Sequence, residues 1–273
     1  MIDALLLPFQ FPFMQKAFWI VLIVAPPCAL LSCFLVLKGW ALMGDAVSHA
    51  VLPGIVLAQL AGLPLLLGAF AAGLGSSLLT GFLAANSRVK RDTLMGVVFS
   101  GMFALGIVLN TAFPSELHLE HILFGNMLGV GQGDLITAAS IAVPVTALLA
   151  LKWRDLMLHA FDPAQAKVSG LPVEALHYGL LTVLSLTIVA TLSSVGLILA
   201  IGLLIAPGAI AFLLTRRFGA MLLVATGVTV GAMLIGVWAS FYLDSAPAPT
   251  IILVLTGLFL VALLRHRLRI ARA

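Results

Sequence analysis

Apolar residues run along this chain in long blocks, and polar residues collect between the blocks rather than alternating within them. A run of about 20 mainly apolar residues is what an α-helix needs to cross a bilayer. The pattern predicts spans near 17–37, 42–61, 64–86, 92–112, 134–151, 173–192, 194–215, 219–242 and 248–264. The expected fold class is therefore all-α: a polytopic integral membrane protein of about eight to nine transmembrane helices, one domain over residues 1–273. Residues 7–13 are aromatic and interrupted by proline, and read as an interfacial lead-in to the first span. No basic stretch or small-residue cleavage site precedes that span, so it is expected to be kept. Pro207 sits inside the seventh block, where it is placed to divide the span into half-helices.

Composition strengthens the membrane reading. Hydrophobic residues make up 62% of the chain and charged residues 9%, where a soluble domain carries roughly a quarter charged. Such a chain could not cover its own surface in water, which excludes a single soluble core. The formal net charge of +4 needs no nucleic acid to explain it once its placement is read. If the spans alternate, Lys38, Arg88, Lys90, Arg91, Lys152, Arg154, Lys167, Arg216, Arg217, Arg265, Arg267, Arg269 and Arg272 all fall at one side. Lys16 falls at the other, with Glu116, Glu120, Asp134 and Asp244. The positive-inside rule makes the basic side cytoplasmic and the protein a multi-pass component of the cell membrane, embedded in lipid. Trp238, Phe241 and Tyr242 suit an aromatic belt at the outer boundary. Cys28 and Cys33 are five residues apart and point away from each other on a helix, so they form neither a CxxC site nor a disulfide and read as small packing residues.

Of the ten acidic residues, only Asp45 lies well inside a predicted span, and His49 is the only histidine that does. Four residues apart, the two share one helix face about one turn from each other. An ionisable group at that depth costs several kcal/mol or more unless it is paired or solvated. Three readings fit the spacing: an Asp–His hydrogen bond that locks helices, a proton relay, and a pair of oxygen and nitrogen ligands on the path of a first-row divalent ion. Two ligands do not complete a metal site, so further ones would come from other helices, water or a second copy of the chain. Pro53-Gly54 just beyond the pair predicts a bent or interrupted helix, which membranes tolerate where backbone lines a cavity.

The stretch Leu37-Lys38-Gly39-Trp40-Ala41-Leu42-Met43-Gly44-Asp45-Ala46-Val47-Ser48-His49-Ala50-Val51-Leu52-Pro53-Gly54 closely resembles the membrane subunits of bacterial ABC importers for manganese, iron and zinc. Other segments agree in the same order over nearly the whole chain: His121 to Gly129, Phe161-Asp162-Pro163 through Ser169-Gly170-Leu171, Ala206-Pro207-Gly208-Ala209, and Arg216-Arg217-Phe218-Gly219. The D-x-x-x-H-x-x-x-P-G core is the specific part. The resemblance implies a type II ABC importer-like permease that works as a homodimer or beside a related second permease, with cytoplasmic ABC ATPase subunits and an extracytoplasmic metal-binding protein. It implies that Asp45 and His49 line the metal path near the subunit interface. The wording around the pair is most similar to the manganese/iron branch, so Mn(II) or Fe(II) is the expected cargo and Zn(II) the alternative. No permanently bound cofactor is expected.

Two further segments bear on this. His118, Glu120 and His121 cluster in an outer loop, as a relay that receives metal or as a solvated polar rim. Residues 153–172 mix apolar and charged residues, and Asp162-Pro163 is suited to start a short helix, with Asp as N-cap and Pro at N1. Gly170 and Pro172 are suited to end it. The resemblance makes Phe161, Asp162, Pro163 and Gly170 part of an ATPase-docking segment. The chain has no GxxxxGK[ST] loop, so ATP hydrolysis is expected in a separate partner and this chain is not expected to be an enzyme. An intramembrane metalloprotease would need a fuller ligand set such as HExxH, which is not in the sequence. A proton-coupled secondary carrier, using Asp45 as its proton site, is the other alternative.

Overall fold

A computed structural model describes residues 7–113 and 125–270. Among these residues the regular structure is helical: α1 (Pro12–Leu37), α2 (Ala41–Ala50), α3 (Leu52–Leu60), α4 (Leu65–Asn86), α5 (Arg91–Ala112), α6 (Gln132–Phe161), α7 (Pro163–Val168), α8 (Val173–Val195), α9 (Leu197–Leu214), α10 (Phe218–Leu243) and α11 (Pro247–Ile270). With α2 and α3 taken as one span, nine helical stretches among the described residues are long and apolar enough to cross a membrane. That matches the number of apolar blocks.

Helix α1 is apolar all round, the signature of a helix buried on every side. Most of its residues are buried, and α6, α9 and α10 pack around it. Its outer half, from Met14 to Cys28, joins a core with Val195, Leu199, Leu203, Val237 and Ile251. Its inner half, from Ala29 to Leu35, joins a second core with Val47, Val51, Leu149, Leu184 and Leu204. Both cysteines are buried and free, as expected of packing residues. By contrast α11 leaves Leu253, Val261 and Leu264 exposed along its length, an apolar surface suited to lipid.

The alternation of the spans has a direct geometric check. Leu37, Phe161, Arg216, Arg217, His266 and Arg269 surround one cavity, so the ends of α1, α6, α9 and α11 meet at one end of the molecule. Lys38 and His159, 121 positions apart, lie within 3.0 Å of each other at that same end. At the opposite end the ring of Phe11 lies 5.6 Å from that of Phe241, and Trp238 lies 4.8 Å from Tyr242. The basic end is the one that the positive-inside rule assigns to the cytoplasm.

Three boundaries differ from the sequence reading. The first helix begins at Pro12 rather than near residue 17, because proline at the first position forgoes an N–H that has no partner there. The fifth span does not stop at 151. Helix α6 has 30 residues, about 45 Å at 1.5 Å per residue, against a hydrocarbon core of about 30 Å. Its last turns carry Lys152 and Asp155, paired at 3.2 Å, and continue to Phe161 because no breaker intervenes. Pro207 does not divide the seventh span: α9 runs through it from Leu197 to Leu214. Packed neighbours can tolerate the lost hydrogen bond. The sharp turn lies instead at Gly196, whose φ of +80° is open to glycine and costly for other residues.

A candidate metal path at an interrupted helix

The second span is interrupted where Pro53-Gly54 led us to expect it. Helix α2 ends at Ala50 and α3 begins at Leu52, with Val51 between them in a right-handed conformation (φ −68°, ψ −28°). Pro53 has no N–H to give the carbonyl of His49 four residues earlier, so the hydrogen-bond ladder breaks on the turn that carries the histidine.

On α2 two faces divide the work. Gly44 and Ser48 face inward: the side chain of Leu204 on α9 closes over Gly44, and Ser48 is buried with its hydroxyl donating to the Gly44 carbonyl at 2.7 Å. Asp45 and His49 sit on the adjoining face. The His49 Nδ1 lies 3.1 Å from Asp45 Oδ1 and 3.1 Å from the Asp45 carbonyl oxygen. Both of those atoms are acceptors, so Nδ1 is the nitrogen placed to donate to them, and Nε2 points away from the carboxylate. Phe99 and Phe103, one turn apart on α5, set their rings edge-on to the imidazole at 5.0 and 5.3 Å. The ring is thus oriented from two sides and presents Nε2 as the donor.

This is the arrangement in which a carboxylate holds a histidine for metal ligation through its second nitrogen. The side chains of His49 and Asp45 are 21% and 34% exposed, and Leu42, one turn before Asp45, is 52% exposed. The stripe therefore opens outward from a single copy of the chain. Among the described residues no group of three or more His, Cys, Asp and Glu side chains converges. One copy supplies two potential ligands and not a closed site. His118, Glu120 and His121, expected as an outer relay, lie outside the described residues.

At the cytoplasmic end the short helix forms as its sequence predicted. Asp162 is the N-cap of α7, its carboxylate accepting from the Gln165 N–H at 2.9 Å, and Pro163 takes the first helical position. The end is closed by a Schellman pair: Leu171 N–H donates to the Ala166 carbonyl at 3.0 Å and Gly170 N–H to the Lys167 carbonyl at 3.1 Å. Gly170 adopts φ +79° to allow it. Ala166 is buried beneath the helix, whereas Phe161 and Val168 are 66% and 83% exposed. The result is a rigid, pinned turn with apolar side chains facing away from the fold.

One contact had no signal in the sequence. Lys38 Nζ donates to His159 Nε2 at 3.0 Å and lies 4.7 Å from the Trp40 ring, which in turn meets His177 edge-on at 5.4 Å. Trp40 is the N-cap of α2, and His159 lies in the last turn of α6, just before α7. The cluster therefore ties the root of the Asp45 helix to the approach of the short cytoplasmic helix. Spacing could not have paired residues so far apart in the chain.

Comparison with known proteins identifies the family of this fold. The model of the ABC 3 transport family matches residues 10–266. The chain is 53% identical over 262 residues to the chelated iron transport system membrane protein YfeD of Yersinia pestis, covering 96% of this chain and 88% of that one. It is 43% identical to the manganese transport system membrane protein MntB of Synechocystis, covering 94% and 84%. Among solved structures, PsaBC from Streptococcus pneumoniae, in complex with Fab, superimposes with a TM-score of 0.86 at 33% identity, over 96% of this chain and 95% of that chain. These relatives are transport-system membrane proteins rather than enzymes, and in such importers the ATPase is a separate subunit. The chain belongs to the ABC 3 transport family and is a multi-pass membrane permease subunit of a metal-importing ABC transporter.

Proposed function

We propose that this permease carries Mn(II) or Fe(II) inward and that Asp45 and His49 form part of the path, joined by ligands from a second permease copy or a closely related chain. The observation that carries this reading is the oriented Asp45–His49 pair on the outward-opening stripe of an interrupted helix. An oxygen and a nitrogen donor without thiolate suit Mn(II) and Fe(II), and relatives named for iron and manganese transport agree with that chemistry. Transport by alternating access needs weak ligation. The carboxylate lowers the cost of dehydrating the cation, and an incomplete ligand set lets the ion leave.

The same reading gives α7 a task. Phe161, Asp162, Pro163 and Gly170 build the rigid turn that docks into the cytoplasmic ATPase, and Phe161 and Val168 supply its apolar contact. An extracytoplasmic metal-binding protein delivers the ion, with His118, Glu120 and His121 proposed as the receiving relay.

The test is uptake of Mn(II), Fe(II) and Zn(II), measured by mass spectrometry in cells that express the chain with its ATPase and binding protein. Uptake is expected to stop with a hydrolysis-dead ATPase, and Mn(II) and Fe(II) are expected to accumulate where Zn(II) does not. Uptake indifferent to the dead ATPase would transfer the chain to the proton-coupled carriers, and ATPase-dependent accumulation of Zn(II) instead would reassign the cargo. Docking has its own test. Asp162→Ala removes a cap worth about 1 kcal/mol, so the amount of ATPase that copurifies is expected to fall about fivefold and to return with Asp162→Ser. Equal copurification in both variants would remove α7 from the docking surface.

A further inference from the structure

At the cytoplasmic end, where the loop after α9 faces the end of α11, a cavity of about 470 Å³ opens between helices. Four basic side chains line it from two distant parts of the chain: Arg216 and Arg217 from the loop, His266 and Arg269 from the last helix. Among the described residues no aspartate or glutamate lines it. The two ion pairs among the described residues, Asp45–His49 and Lys152–Asp155, lie elsewhere. Apolar side chains line it as well, Phe212 and Phe218 among them, and Phe161 at the docking turn borders it.

The positive-inside rule accounts for basic residues at this end of the molecule, but not for their convergence. Arg265 and Arg267 obey the same rule on the same helix and do not line the cavity. Three arginines gathered around one space raise the positive potential there and favour an anion. A free anion or a partner's carboxylate would need the guanidinium groups alone. A phospholipid of the inner leaflet uses both kinds of lining side chain, its phosphate meeting the arginines and its glycerol and upper acyl chain meeting the apolar ones. Basic pockets between helices on the cytoplasmic side suit such headgroups.

We infer that this cavity is a binding site for an anionic phospholipid of the cytoplasmic leaflet. The site is separate from the metal path, since neither Asp45 nor His49 is among the residues that line it.

The experiment is native mass spectrometry of the full chain, purified in detergent with phosphatidylglycerol or phosphatidylcholine of identical acyl chains, with and without the ATPase subunit. Phosphatidylglycerol is expected to be retained at least tenfold better. Arg269→Gln is expected to cut that preference about fivefold, as is each further arginine removed in Arg216→Gln and Arg217→Gln. The double variant Arg265→Gln/Arg267→Gln carries a larger charge change than Arg269→Gln and is expected to retain the preference. Arg269 is near the end of the last helix, so its replacement leaves the fold intact even if the loop variants do not. Equal retention of the two lipids would overturn the proposal, as would equal losses in the control variant. Displacement of lipid by millimolar inorganic phosphate would make the cavity a free-anion site. Displacement by the ATPase subunit would make it part of the protein interface.

Discussion

Asp45→Asn is expected to reduce Mn(II) uptake by about 10- to 100-fold, the usual range when a carboxylate beside a ligating histidine is mutated. The substitution separates two roles of the side chain. The asparagine carbonyl still accepts from His49 Nδ1–H, now 3.1 Å from the carboxylate, so the contact that orients the ring survives. What disappears is the negative charge, which in a low-dielectric span offsets the cost of stripping water from a divalent ion. If the pair served only to lock helices, Asp45→Asn would transport like the parent. His49→Ala removes the nitrogen donor itself and leaves Phe99 and Phe103 facing a void, so its loss is expected to be at least as deep. Assembly with the ATPase, followed by copurification, must stay intact for either result to count. Parent-level uptake in both variants would return Asp45 and His49 to a packing role.

Gly54→Ala is expected to destabilise the protein by about 1–3 kcal/mol, the usual cost of overpacking. A Cβ at Gly54 would run into the backbone carbonyl of Gly68 on α4, and a Cβ at Gly68 would run into that of Gly54, with Ala72 and Ala58 crowding the same crossing. Because the obstacle is backbone, no side-chain rotation relieves it, and α3 must move away from α4. Close approach of this kind is how membrane helices gain van der Waals contact without a hydrophobic driving force between them. Gly75, on the same helix as Gly68, has open space where its Cβ would lie. There alanine is expected to be neutral or to stabilise by up to about 1 kcal/mol through helix propensity. Thermal unfolding in detergent should therefore move in one direction for Gly54→Ala and not for Gly75→Ala. Equal shifts would mean that the crossing is looser than its geometry. Since α3 continues α2 after Val51, uptake by Gly54→Ala is also expected to fall.

Much of the candidate site was legible beforehand because its signals are local. Asp45 and His49 stand out through burial cost and a spacing of four, and Pro53 announces the break one turn later. Asp162-Pro163 and Gly170 announce a capped short helix, and the N-cap and Schellman bonds formed as those residue types require. Where the reading went astray, the error was also local. Pro207 looked like a breaker, yet α9 continues through it, while the turn falls at Gly196. The polar residues after 151 looked like the end of a span, yet an α-helix persists into water when nothing in it opposes helical geometry.

By itself the sequence determined that this protein lives in lipid, that it crosses about eight to nine times, and which end carries the positive charge. Those properties follow from transfer free energy summed over contiguous residues, and contiguity is what a sequence records. It also determined which ionisable residues are out of place in a membrane. Only the tertiary structure decided what those residues face. Phe99 and Phe103 turn the His49 ring, Lys38 finds His159, and four basic groups from two segments share one cavity. Each of these depends on which helix packs against which, and packing is chosen by the fit of whole surfaces, to which residues far apart in the chain contribute together.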